Sequence, residues 1–141
     1  MRRERIRSTP SWRGSAPRRD CAFIVEDDDK HGMRGMGVVR VLLFFSFKYD
    51  HTYYPCALVD WFKKVGVDPV TGMWVVRPDI VHRRRECSVL HLDSFLRGAH
   101  LIPVFGAKKV PQDFHFTYSL DAFPAFYVNK YIDHHAHEIA F

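Results

Sequence analysis

Val38-Val39-Arg40-Val41-Leu42-Leu43-Phe44-Phe45-Ser46-Phe47-Lys48-Tyr49 is followed, after Asp50-His51-Thr52, by Tyr53-Tyr54-Pro55-Cys56-Ala57-Leu58-Val59-Asp60-Trp61-Phe62-Lys63-Lys64-Val65. Both runs are dense in β-branched and aromatic residues, and the polar break between them predicts a β-hairpin. In the first strand Val39, Val41, Leu43, Phe45 and Phe47 share one face, which should meet the core, and Arg40, Leu42, Phe44, Ser46 and Lys48 share the other. In the second, apolar groups of both parities from Cys56 to Trp61 predict a central strand covered on both sides. Pro55 cannot donate to a ladder and tempers that expectation at its own position.

Outward from the hairpin, Ala22 to Val25 is a short strand candidate, and the acidic run Glu26 to Asp29 with Gly32, Gly35 and Gly37 reads as a flexible loop. That loop lacks the Gly-Lys-Ser/Thr end of a phosphate-binding loop. On the other side, Asp68-Pro69-Val70-Thr71-Gly72 predicts a reversal before a strand over Met73 to Arg77. A loop from Pro78 to Glu86, carrying His82, Arg83, Arg84 and Arg85, leads to a strand over Ser88 to Leu92. Asp93 is placed to cap one helical turn through Arg97, ended by Gly98, before a strand over Ala99 to Val104. Asp113 to Tyr118 is a further extended piece. Asp121 is then expected to cap a helix to about His137, with Pro124 in its first turn and Phe123, Phe126, Tyr127 and Tyr131 as an aromatic stripe. The expected fold is mainly β with α: a small, partly open SH3-like or BAH-like barrel of about five to six strands plus a C-terminal helix.

The 141 residues suit one domain, and 47% hydrophobic with 15% aromatic content is enough for a packed interior. The charge of +5 is unevenly spread. Residues 1–19 hold Arg2, Arg3, Arg5, Arg7, Arg13, Arg18 and Arg19 against Glu4 alone, whereas the remainder carries 14 basic and 15 acidic groups. That segment is expected to be a disordered basic tail, with residues 20–141 as a single β-rich domain. Such a tail can attract DNA phosphates without reading sequence, and Arg2, Arg3, Arg5, Arg7 with Arg83, Arg84 and Arg85 are the candidate DNA contacts. Three scattered cysteines, Cys21, Cys56 and Cys87, argue against a disulfide framework or a Cys-rich zinc site and for an intracellular setting. No run approaches the roughly 20 apolar residues that span a bilayer, so no membrane partner is expected.

Several longer motifs occur in a fixed order: Gly32-Met33-Arg34-Gly35-Met36, Tyr54-Pro55-Cys56-Ala57-Leu58-Val59-Asp60-Trp61-Phe62, Thr71-Gly72-Met73-Trp74-Val75-Val76 and His100-Leu101-Ile102-Pro103-Val104. Ser119-Leu120-Asp121-Ala122-Phe123 and Tyr127-Val128-Asn129-Lys130-Tyr131-Ile132-Asp133-His134-His135-Ala136-His137-Glu138 follow. From about Asp20 to Phe141 the chain resembles the C-terminal region of fungal Plavaka-type transposases of the KDZ group. The resemblance implies a mobile-element origin, a nuclear setting, and a metal-dependent RNase H-like core upstream of the matching region. It implies no catalytic residue here. The function expected is a non-catalytic accessory module that contacts the upstream core, another protein or DNA, with no cofactor.

Two alternatives have residues to carry them. A chromatin-reader or adaptor barrel would use Tyr53, Tyr54, Trp61, Trp74 and Phe62 as an aromatic pocket for a methylated lysine. A metal-dependent hydrolase would draw on the C-terminal tail, where Asp133 with His137, or His134 with Glu138, stands one helical turn apart and needs a third ligand from His91, His100 or His115. Asp60, Asp93 and Asp121 do not read as an acidic triad, because Asp60 alternates out of a strand and the other two look like helix caps.

Overall fold

The computed structural model describes residues 5–9, 18–104 and 124–131. Its strands are β1 (Ser8–Thr9), β2 (Arg18–Arg19), β3 (Cys21–Val25), β4 (Met36–Tyr49), β5 (Thr52–Val67), β6 (Trp74–Pro78), β7 (Ile80–Val81), β8 (Arg84–Arg85), β9 (Cys87–His91), β10 (Phe95–Ala99), β11 (Leu101–Pro103) and β12 (Phe126–Val128). Two 3₁₀ turns, Gly32–Gly35 and Leu92–Ser94, interrupt them.

The main sheet runs β10-β3-β4-β5-β6-β12-β11, antiparallel at every pairing. Because β10 and β11 are joined only through His100, its two ends meet and the sheet is a nearly closed, seven-stranded barrel. Closing the sheet removes most of its free edge. β5 supports the second edge alone: β9 pairs with Cys56–Asp60 and β6 with Phe62–Val67. At the fork Trp61 N donates to Glu86 O (2.9 Å) and Trp61 O accepts from Asp79 N (3.0 Å). From there β7 and β8 project as a small hairpin that turns on His82 and Arg83, both at positive φ. The β4–β5 reversal at Asp50 and His51 has the same backbone form, which matches the right-handed strand twist.

Both faces of the central strands are buried, as the apolar content of β5 predicts for that strand. Inside the barrel lie Phe23, Met33, Val38, Phe62, Val76, Phe126 and Val128; on the outer face Ala22, Ile24, Val39, Val41, Ala57 and Val59 are covered by Leu90, Leu92, Phe95 and Ile6. The stripe expected to run inward from Val39 to Phe47 breaks at a β-bulge. Leu42 is an extra residue, since Val41 faces Val59 but Leu43 faces Leu58. Beyond it the parity reverses. Phe44 now packs with Val39 and Val41, whereas Leu43 and Phe47 are 53% and 47% exposed.

Three further expectations are corrected. The helical turn over Asp93–Arg97 is a shorter turn at Leu92–Ser94, capped by His91, whose Nδ1 accepts from Asp93 N (3.0 Å), and Phe95–Ala99 is strand. The glycine loop is tightly fitted rather than loose: a Cβ on Gly35 would lie 2.5 Å from both Asp27 O and Lys30 O, and Lys64 Nζ clamps Met33 O and Met36 O at 2.8 and 2.7 Å. The expected helix over 121–137 is crossed by β12, where Phe126 and Val128, both fully buried, alternate with Tyr127 and fill the slot between β6 and β11. Burial at period 2 by an aromatic and a β-branched residue overrides the helical spacing of the aromatics. The rest of that span, and Asp113–Tyr118, lie outside the described residues.

The basic tail is partly held. Arg7 N donates to Asp20 Oδ2 (2.9 Å), Asp20 N donates to Arg7 O (2.8 Å), Ser8 Oγ donates to Leu42 O (2.6 Å), and Ile6 covers the outer core. β1 pairs with β2, Ser8 opposite Arg19 and Thr9 opposite Arg18, so residues 5–9 and 18–19 lie together against the sheet. Among the described residues no helix is long and apolar enough to cross a membrane.

Candidate functional site

Register places Cys21 beside Arg40, Arg40 beside Asp60, and Asp60 beside Cys87, a polar row across four strands at one end of the barrel. Asp60, expected to point out of its strand, is buried at 6% exposure. Its Oδ2 lies 3.3 Å from Arg40 Nη2 and 3.7 Å from Arg85 Nε. A buried carboxylate needs such partners to stay charged. Arg85 also lies over the Phe62 ring, with Cζ 5.0 Å from its centroid. Of the three consecutive arginines, only Arg85 turns inward; Arg83 and Arg84 are exposed on the projecting hairpin. Burial pushes the Cys21 thiol up to about 12, against the opposing pull of Arg40 and Arg85. It is therefore a neutral packing group and no nucleophile.

Next to this row, at the seam where β10 passes into β11, lies a cavity of about 280 Å³. Arg5, Arg18, Arg97 and His100 line it, with Asp20 as its carboxylate. Arg97 stands opposite Phe23, a barrel-interior residue, so the strand register aims it inward. Asp20 is already engaged by Arg18 Nε (2.9 Å) and Arg7 N. Asn129 ties the seam: its N donates to His100 O (2.9 Å), its Oδ1 accepts from Tyr131 N (2.9 Å), and its Nδ2 lies 3.0 Å from His100 Nδ1. With Oδ1 committed as acceptor, Nδ2 is the group that faces His100 Nδ1. Arg40 and Arg85, paired with Asp60, belong to the neighbouring row and not to the lining of this cavity, which meets the row at Cys21. A second hollow, of about 540 Å³, lies beside Trp74, Val67 and Arg34.

The other candidate residues are dispersed. Arg7 acts through its backbone, and Arg2 and Arg3 lie outside the described residues. Tyr53 is 68% exposed near the hairpin tip with Lys48 over its ring, and Tyr54 stacks on Phe47 at 5.2 Å. Trp61 is seven positions along the strand from Tyr54, about 23 Å at ~3.3 Å per residue. It covers the outer core, its Nε1 donates to Ser88 Oγ (3.0 Å), and its ring lies against Gly37, where an added Cβ would be 2.8 Å from Cζ3. Trp74 packs on the opposite, inner core. These aromatics enclose no common space. Asp93 is on the outer turn, and Asp121, His115, His134, His137 and Glu138 lie outside the described residues. Among the described residues no three His, Cys, Asp or Glu side chains are grouped to hold a metal ion.

Sequence reasoning missed Asp20, Arg40 and Arg97, took Arg18 only as part of the basic tail and named His100 only as a candidate metal ligand. A signal for Arg40 and Asp60 existed, since each is a lone charge in an apolar run. Counted straight back from the Asp50–His51 turn, however, Arg40 would oppose Trp61; only the extra residue at Leu42 brings it opposite Asp60. No protein-family model, no curated protein and no solved structure matches the chain.

Proposed function

We propose that the chain is a non-catalytic accessory module of a transposase-like mobile-element protein and works by docking its β4–β5 arm on the RNase H-like core that the resemblance places upstream. The SH3-like lineage of the barrel and a nuclear setting belong to the same proposal. One observation carries it. Past the bulge, Leu43, Phe45, Phe47 and Tyr49 share one face of the arm with Tyr54, and Leu43, Phe47 and Tyr49 are 53%, 47% and 70% exposed. A contiguous apolar surface of this kind marks an interaction site. The stripe continues the inner face of the sheet beyond the point where barrel strands cover it, so the partner surface must itself be apolar. Bulges that re-aim side chains at a sheet's rim recur beside functional surfaces.

The test is co-elution of the purified chain with the purified upstream core. The parent chain forms a complex, and a Phe47→Ser/Tyr49→Ser variant with an unchanged melting temperature does not. An undiminished complex with that variant would refute the assignment.

A further inference from the structure

We propose that the open edge of β9 pairs antiparallel with β9 of a second copy of this chain, about a two-fold axis at Val89. Among the described residues β9 is paired with β5 alone. Trp61 N donates to Glu86 O in the same register that sets Cys56 opposite His91. Bonded and non-bonded pairs alternate along an antiparallel ladder, so Val59 with Ser88 and Ala57 with Leu90 exchange the bonds. The N–H and C=O groups of Cys87, Val89 and His91 therefore point away from β5. Edges of this kind are ordinarily blunted by lysine, proline or a bulge. The β4–β5 arm carries Lys48 and Pro55, whereas Cys87-Ser88-Val89-Leu90-His91 has neither residue type and an unbroken register.

The outward groups select the occupant. They are symmetric about Val89, so a second β9 run antiparallel matches all of them: Val89 meets Val89, and Cys87 meets His91 on either side. Each such pair exchanges two backbone bonds, and sliding one strand by two residues either way loses a pair. Side chains agree with that register. Leu43 faces Leu58 and Leu58 faces Val89, an aliphatic row that stops at the edge with Leu43 and Val89 53% and 55% exposed. The second copy continues the row through its own Val89, a cross-strand contact that adds to the ladder. Charge agrees as well. Antiparallel order brings the Arg84 end of one β9 to the Asp93 end of the other; Arg84 is exposed, and the Asp93 side chain is 92% exposed with His91 Nδ1 3.3 Å from its carboxylate. Parallel order would set Asp93 against Asp93. An edge contact is small beside the roughly 1,200–2,000 Å² of a stable interface, so the dimer depends on concentration. It does not rest on the docking role of the arm, and the two fail separately.

Analytical ultracentrifugation of the full chain at concentrations up to about 1 mM tests the proposal. The mass should climb from 16.6 kDa toward twice that value. Val89→Lys sets like charges against each other across the axis, and Val89→Pro removes an N–H that no bond to β5 uses; both should hold the chain at the monomer mass. The Val89 side chain is exposed, so Val89→Lys reads the pairing even if Val89→Pro fails to fold. In a Cys87→Ser background, Val89→Cys should oxidise to a covalent dimer, because Cα atoms of a bonded pair stand about 5.5 Å apart, within disulfide reach. Ser88→Cys in the same background, with its side chain on the opposite face, should not. A parent chain that stays monomeric throughout, a dimer that survives Val89→Lys, or no covalent dimer from Val89→Cys would overturn the proposal. So would loss of the dimer in Phe47→Ser/Tyr49→Ser, which would put the contact on the arm instead.

Discussion

Replacing Asp60 by Asn removes the carboxylate that, among the described residues, faces both Arg40 and Arg85. Removing one partner of a buried ion pair costs about 3–5 kcal/mol when the survivor stays buried. The two survivors here differ. Arg40 is 16% exposed on a central strand flanked on both sides, whereas Arg85 is 27% exposed on a small projecting hairpin. Crediting the full loss to Arg40 and little to Arg85 gives about 3–5 kcal/mol, a large part of the roughly 5–15 kcal/mol that holds a domain together. Urea denaturation followed by tryptophan fluorescence reads this as a drop in midpoint at constant slope. The double variant Arg40→Met/Asp60→Leu, which removes the pair together, should recover more than half of the loss. An Asp60→Asn cost below about 1 kcal/mol, or a double variant no better than the single, would refute the ion-pair account.

Phe126→Ala should cost about 3–5 kcal/mol by thermal or urea unfolding, because the ring is fully buried between β6 and β11; a cost near that of a surface change would contradict the strand assignment. Gly35→Ala should destabilise by about 1–3 kcal/mol, since the clashing atoms are backbone oxygens that cannot rotate away, whereas a neutral result would show that the loop yields. In the native protein iodoacetamide should label Cys87 well before Cys21 and Cys56, with mass spectrometry giving the order. The Cys21 thiol holds its proton more tightly folded, at about 12, than at its ordinary value of 9.0. Its contribution to stability is therefore complete below pH 9 and falls as pH rises toward 12. The fall in stability over that window should be shallower in Cys21→Val, and equal slopes would refute it.

The sequence was most legible where composition and turn chemistry agreed. The β4–β5 hairpin, its reversal at Asp50–His51 and the doubly covered centre of β5 all follow from β-branched and aromatic density around a polar break. Legibility failed where one residue changed the register. Leu42 is an ordinary apolar residue in an apolar run, so nothing in its identity marks a bulge, yet it moves Phe44 into the outer core, leaves Leu43 and Phe47 exposed on the opposite face and sets Arg40 against Asp60. Phe126-Tyr127-Val128 was ambiguous for a different reason: three residues fit either period, and the neighbouring aromatics favoured the helix. The tail's arginines concealed Ile6 and Asp20, whose contacts tie residues 5–9 to the sheet. The seam cavity drew on residues far apart in sequence, Arg5, Asp20, Arg97 and Asn129, which only barrel closure assembles.

The docking role of the β4–β5 arm is tested most directly by photocrosslinking. A benzophenone side chain in place of Tyr49, on the apolar stripe, and the same group in place of Arg84, on the other projecting hairpin, are each irradiated with the purified upstream core present. Covalent adducts to the core from position 49 and none from position 84 are predicted. Adducts from position 84 alone, or none from position 49 under conditions where the complex forms, would contradict the account.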